Sequence, residues 1–295
     1  MISSKKEKEM NHYTLAIFLA VFFLAFVASF IFTQERISRM VGVSPDEEAM
    51  YYLDGSQLED LYKKSTLVES ERIIILGYHQ IRNVDDRDSK KARMFITPPE
   101  IFEKEMKFLK DHNYEVISLE EYLEYFSFKK FLKEGERKVV ITFDDGYISQ
   151  FENAFPILQK YDLKATFFVY ANCIGKYPSC MTWDNLRELT KSGMKIGNHT
   201  LNHVFLPNYK LNTVKREIEE NQNMILEKVG KGNVSNIFAY PFDGVSPKIL
   251  ALVEEMGYSG ALGALPHKPG ERLNIFDLPR YLLGGDFGLF LSLFE

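Results

Sequence analysis

Two kinds of apolar spacing divide the chain. Residues 14–32 read TLAIFLAVFFLAFVASFIF, apolar on every side, with only Thr14 and Ser29 as polar interruptions. A helix over this stretch, rising about 1.5 Å per residue, covers about 28 Å, near the hydrocarbon thickness of a bilayer. Beyond Arg72 the apolar runs become short and rich in β-branched and aromatic residues, at 73–76, 116–117, 139–143, 165–170, 195–197, 237–240 and 258–262. Stretches with helical spacing separate them. Strands alternating with helices predict a mainly parallel sheet with helices outside it. Their number fits a (β/α) barrel of seven or eight units, with an open doubly wound sheet as the alternative.

Helix-start signals sharpen this reading. Thr97-Pro98-Pro99-Glu100 has the form of a capping box with proline at the first helical position, and Phe102, Met106 and Leu109 follow at helical spacing. Ser246-Pro247 opens another helix, for which Gly257 after Met256 supplies a C-terminal cap. Thr182 reads as an N-cap, and Trp183 behind it as a packing residue.

Charge orients the N-terminal segment. Lys5, Lys6 and Lys8 precede the apolar run, whereas Glu35 and Arg36 beyond it nearly cancel. The positive-inside rule then predicts a cytoplasmic tail at 1–13, a single-pass membrane anchor at 14–32 and an extracellular remainder. A cleaved signal peptide is the rival, with Ala28-Ser29 as small residues, but its apolar region usually spans only about 7–15 residues. Residues 33–70, acidic at Asp46-Glu47-Glu48 and Glu59-Asp60, form the expected stalk, and 71–295 the folded domain.

A net charge of −5 gives no concentrated basic face, which argues against a nucleic-acid partner. Cys173 and Cys180 either close a small disulfide loop or remain two thiols. No second cysteine pair or nearby histidine completes a structural zinc site.

The candidate chemistry sits at strand ends, where α/β folds gather their working groups. The run 139–143 ends in Asp144-Asp145-Gly146, which by itself could bind a metal, supply a base or make a turn. The run 195–197 leads into Asn198-His199-Thr200-Leu201-Asn202-His203, with two histidines four apart, the spacing that puts two imidazoles on one face of a helical turn. One carboxylate and two imidazoles leave open positions on a divalent ion, as hydrolysis requires, and the other aspartate can take a proton from water. An amide leaving group also needs an acid. His79 follows the 73–76 run directly, His112 ends a surface helix, and His267 lies in a Pro/Gly-rich loop.

Thr142-Phe143-Asp144-Asp145-Gly146 and His199-Thr200-Leu201-Asn202-His203 together resemble the first two motifs of the polysaccharide deacetylases, the NodB-homology domains of carbohydrate esterase family 4. The resemblance covers roughly residues 71–285. It implies a distorted (β/α) barrel, with Asp144 as catalytic base and Asp145, His199 and His203 as ligands of one divalent metal. Zinc is the expected ion, with Co2+, Ni2+ or Mn2+ as substitutes.

The family's third motif, Arg-x-Pro-Tyr/Phe, reads here Ala239-Tyr240-Pro241-Phe242, so Ala239 stands where the arginine orienting the base is expected. No leucine–histidine motif follows to supply an acid. Both departures are similar to those of the poly-β-1,6-N-acetylglucosamine deacetylases, in which the acid comes from an N-terminal strand ending in Tyr-His. Tyr78-His79-Gln80-Ile81, Tyr114, the 165–168 run and Pro279-Arg280-Tyr281 fit that branch. It implies His79 as acid and Arg280 as replacement for the missing arginine, with Tyr240, Pro241 and Phe242 supporting the sugar site. For Phe242, plain packing is an equal reading.

The expected reaction is hydrolysis of the N-acetyl group of N-acetylglucosamine residues in an extracellular polysaccharide, with a membrane-borne synthase or export machinery as a partner. Peptidoglycan or chitin oligomers are rival substrates, and an inactive carbohydrate-binding barrel is the rival of another class. A metalloprotease is disfavoured because no His-Glu-x-x-His is present.

Overall fold

The structure, a computed structural model, describes residues 73–127, 129–263 and 274–294. The expected tail, anchor and stalk, and His267, lie outside them. Among the described residues no helix is long and apolar enough to cross a membrane.

Among the described residues the strands are, in chain order, β1 (Ile74–Tyr78), β2 (Gln80–Ile81), β3 (Ile96–Thr97), β4 (Glu115–Val116), β5 (Lys138–Phe143), β6 (Thr166–Val169), β7 (Lys195–Asn198), β8 (Val234–Ala239), β9 (Gly260–Leu262) and β10 (Tyr281–Leu282). The main sheet runs β10-β1-β5-β6-β7-β8-β9, with β4 added against β5 and every pairing parallel. Strand β5, KVVITF, is buried at every position, as expected of a central parallel strand covered on both faces. A second, two-stranded sheet pairs β2 with β3.

The two edges of the main sheet share one segment. Leu278 bridges Leu262 of β9, and four residues later Leu282 of β10 pairs with Gly77 of β1. The two strands approach closely at Gly77, where Leu282 Cδ2 lies in the space a Cβ would take. The sheet therefore curls into a distorted barrel with a very short seam. The seven strands of the main path, with β4 beside β5, agree with the distorted barrel of seven or eight units expected from the sequence, though the last unit is irregular. Strand β10 is two residues long, and among the described residues no helix lies between β9 and β10.

The helices are α1 (Lys90–Arg93), α2 (Pro99–Asp111), α3 (Leu119–Phe126), α4 (Phe155–Lys160), α5 (Trp183–Lys191), α6 (Leu211–Val229), α7 (Pro247–Glu255) and α8 (Phe287–Ser292). In α2 the predicted stripe Phe102, Met106 and Leu109 is fully buried. Its capping box does not form. Pro98 is the N-cap and makes no side-chain cap bond, while Thr97 lies in β3 and gives its hydroxyl to Leu283 O at 3.2 Å. Sheet pairing at the seam has taken the residue that the local pattern assigned to the helix. Helix α5 does carry a capping box, between Thr182 and Asn185, and Ser246 caps α7 at Ile249 N–H.

Aromatic rings fill the layer between the sheet and its helices, with Phe143 stacked on Phe167 at 4.7 Å and Tyr78 edge-on to Phe102 of α2 at 5.0 Å. Cys173 and Cys180 are joined in a disulfide, closing a loop after β6. Tyr147 bridges Cys180, which lays this loop against the turn that follows the paired aspartates.

Candidate active site

Strand β5 delivers two carboxylates to the end of the barrel and sends them opposite ways. Asp144 continues the ladder, its N–H donating to Tyr78 O at 2.9 Å. Asp145 then turns through φ 74°, a left-handed backbone that is strained for a residue with a side chain, and Gly146 follows at φ 72°. A Cβ on Gly146 would meet Ile174 Cδ1 at 2.9 Å.

Asp144 faces the seam. Arg280 Nη1 donates to its Oδ1 at 2.8 Å and Nη2 to its Oδ2 at 2.7 Å, a two-point grip. Arg280 is held in turn by Gly263 O at 2.9 Å and Thr142 Oγ1 at 3.3 Å, and is 1% exposed. Burial opposes ionisation of Asp144, but the Arg280 guanidinium, helped by His199, outweighs it and holds the carboxyl below its usual range.

Asp145 faces the histidines. Its Oδ1 stands 3.5 Å from His199 Nε2 and 3.0 Å from His203 Nε2, and ligand atoms of the three residues lie within 4.8 Å of one another. Ligand atoms about 2.0 Å from one tetrahedral ion would be spaced by about 3.3 Å, so the set fits a divalent metal. Two further observations agree. Asp145 Oδ1 is shut off from solvent and faces the two imidazole nitrogens. His199 Nδ1 is engaged by Ala239 O at 2.8 Å, which turns its Nε2 inward as a ligand. Burial lowers the proton affinity of His199, yet Asp144 and Asp145 raise it overall, a field that favours any cation here.

The helical turn expected for His199 and His203 is absent. Thr200 has φ 64° and His203 φ 53°, so the segment coils tightly instead. Asn198 Oδ1 accepts from Thr200 N–H at 2.9 Å, an Asx-type turn that directs the chain away from a helix.

His79 follows β1 and packs its ring against Phe95 at 4.8 Å. Its Nδ1 is buried without a partner. Burial lowers its proton affinity, the facing carboxylates of Asp145 and Asp144 opposing. Phe242 adopts φ 56°, leaving its ring 63% exposed and 4.4 Å from that of His203. Tyr240 is different. It is buried, edge-on to Phe238, and gives its hydroxyl to Phe276 O, and with the buried Pro241 it shapes the turn rather than facing the site. His112 is exposed at the end of α2, stacked on Phe108, away from these groups.

Residues not expected from the sequence also act here. Gln150, wholly buried, donates Nε2 to His79 O at 2.8 Å and to Asp144 O at 2.5 Å, tying together the ends of β1 and β5. Glu217 and Asn221 of α6 hold the histidine turn from behind. Both fall within the apolar stripe Val214, Ile218, Ile225 of that helix. A polar residue inside such a stripe was the signal available in the sequence.

Comparison with known proteins agrees with this geometry. Residues 132–261 match the family described as polysaccharide deacetylase. The Bacillus subtilis protein YxkH, named provisionally as a polysaccharide deacetylase, is 26% identical over 75% of this chain and 76% of its own. A poly-beta-1,6-N-acetyl-D-glucosamine N-deacetylase of Staphylococcus aureus is 24% identical over 79% of this chain and 87% of its own. Among solved structures, the Streptococcus pyogenes deacetylase PplD in complex with acetate has the same fold, with TM-score 0.68 and 24% identity over 76% of this chain and 98% of that one.

Proposed function

From the premise that this chain carries a polysaccharide deacetylase domain and is an enzyme that deacetylates polysaccharide, we propose that it hydrolyses the N-acetyl groups of N-acetylglucosamine residues in a metal-dependent reaction. The proposed substrate is poly-β-1,6-N-acetylglucosamine, in keeping with the Staphylococcus aureus relative. The observation that carries the reading is the division of labour between adjacent carboxylates, Asp144 gripped by Arg280 and Asp145 set between two imidazoles.

Asp145, His199 and His203 would hold the ion, zinc by the chemistry of the donor set, with Co2+, Ni2+ or Mn2+ able to replace it. Such an ion supplies a Lewis acid that polarises the acetamide carbonyl and makes water more acidic. Asp144, kept ionised by Arg280, accepts the proton that water loses as it adds to the carbonyl carbon. The C–N bond then breaks as the sugar nitrogen takes a proton from His79. Burial lowers the proton affinity of His79 and the carboxylates of Asp145 and Asp144 oppose it, so His79 can receive the proton that Asp144 took from water and pass it to the sugar nitrogen, returning both groups to their starting forms. Acetate and a glucosamine unit leave. The exposed ring of Phe242 offers an apolar wall for the sugar.

The reading extends to placement. The 14–32 segment would anchor the enzyme with its N-terminus in the cytoplasm and the domain outside, beside a synthase or export machinery for the same polymer. The test is acetate release by the full-length chain from β-1,6-linked N-acetylglucosamine oligomers, chitin oligomers and peptidoglycan, each with chelator and with metal restored. Metal-dependent release, fastest from the β-1,6 oligomers, is expected. Preference for another glycan would move the substrate, and release untouched by chelator would sink the metal.

A further inference from the structure

Histidines on a helix are spaced by the helix itself. Here that constraint is missing, because Thr200 and His203 both take left-handed backbone. Something outside the segment must fix the separation of the two imidazoles. The partners of the turn converge on one side chain. Glu217 Oε2 accepts the backbone N–H of Asn202 at 2.9 Å, its Oε1 accepts Asn202 Nδ2 at 2.7 Å, and its own carbonyl accepts Leu201 N–H at 3.0 Å. One turn further along α6, Asn221 Nδ2 donates to Asn198 Oδ1 at 2.8 Å and to Val169 O at 2.9 Å, tying the start of the turn to the end of β6. Glu217 is buried, so its carboxylate has little water to fall back on if these donors leave.

We propose that Glu217 is a positioning residue for the metal centre, clamping the backbone between His199 and His203 so that both imidazoles are set for one ion before it arrives. The inference rests on the reading that Asp145, His199 and His203 bind a divalent metal. It adds a residue that touches neither metal nor substrate yet sets how tightly the ion is held. Groups that orient ligands from behind typically contribute about 10–100-fold to metal affinity.

The experiment is a zinc titration of the full-length metal-free protein in mild detergent, by competition with a chromophoric chelator, with cobalt absorption spectra as a second readout. Glu217→Ala is expected to weaken zinc by about 10–100-fold and alter the cobalt spectrum. Glu217→Gln, which keeps an acceptor for one of the two Asn202 donors, should recover part of the loss. Excess zinc should restore turnover in both. Glu220→Ala, at an exposed position on the same helix, should bind as the unaltered chain does. If Glu217→Ala fails to fold, Asn202→Ala removes the Oε1 contact while keeping the backbone bond to Oε2, and should weaken zinc by a smaller factor; Asn172→Ala, which removes only the other partner of the Asn202 side chain, should leave zinc affinity unchanged. Unaltered protein that binds no metal would sink the reading beneath the inference. Folded Glu217 variants with unchanged zinc affinity and cobalt spectrum would sink the inference alone.

Discussion

Arg280 lies 136 positions beyond Asp144 and grips both of its carboxylate oxygens, at 2.8 and 2.7 Å. Because both side chains are buried, the guanidinium does two tasks. It keeps the base ionised where burial alone would protonate it, and its planar fork fixes the carboxylate's rotation. A lysine could supply the charge but not the fork. Arg280→Lys should therefore lower kcat by roughly 100-fold, the scale of a misplaced catalytic group, with metal content unchanged. Arg280→Ala should also lower stability by about 3–5 kcal/mol, since it leaves a buried charge unpaired. Turnover, metal analysis and thermal melting together check both.

The adjacent carboxylates should separate cleanly by mutation. Asp144→Asn should cost about 100- to 10,000-fold in kcat, the range for loss of a general base, while the protein still binds zinc. Asp145→Asn should lose the metal itself. Equal metal loss in the two variants would mean that the division of roles is wrong.

His79 is expected to matter for turnover and not for metal. His79→Ala should reduce acetate release by at least about 100-fold and leave zinc affinity intact. Retained activity would shift the acid to another group, with His267 the first to examine.

Metal should stabilise the fold as well as activate it, because an unfolded chain cannot assemble the three ligands. At zinc concentrations about 100 times its dissociation constant the gain is about 2.7 kcal/mol, visible as a rise in Tm that chelator reverses. A Tm indifferent to zinc would count against the site.

A pH effect on stability should come from a group that is neither metal ligand, base nor acid. Glu105 of α2 is buried, accepts the Tyr78 hydroxyl at 2.9 Å, and is pushed up to about 8 by burial. Its folded-state pKa lies above the ordinary value of 4.5, so the folded protein holds this proton more tightly than the unfolded chain. The stability it contributes is full below pH 4.5 and falls as pH rises through about 8. The loss amounts to a few kcal/mol, at about 1.4 kcal/mol for each tenfold change in proton affinity. Glu105→Gln should flatten that slope between pH 5 and 8 in denaturant titrations. An unchanged slope would assign it to other groups.

Much of the barrel was legible because its strands, such as β5, are short runs rich in β-branched and aromatic residues. The site was legible where chemistry demands particular side chains at strand ends, as at Asp144, Asp145, His199 and His203. What spacing could not show was backbone hand. Nothing in the run from Asn198 to His203 announces left-handed residues, so a helical turn was the natural expectation, and it was wrong. Thr97 failed for a related reason, since the seam competed with a local cap. Gln150 carried no signal in the sequence, because its two carbonyl partners belong to strand ends brought together only by folding.

The seam has a consequence for biosynthesis. Chains emerge from the ribosome N-terminus first, so β1, β5 and β7, with Asp144 and the histidine turn, are made well before the segment that joins the sheet edges. Arg280 arrives on that segment, 136 positions after Asp144. A partly synthesised or truncated chain can thus own every ligand and the base and still lack the group that holds the base in working form. Catalytic competence becomes a report that the segment closing the barrel has been made and docked.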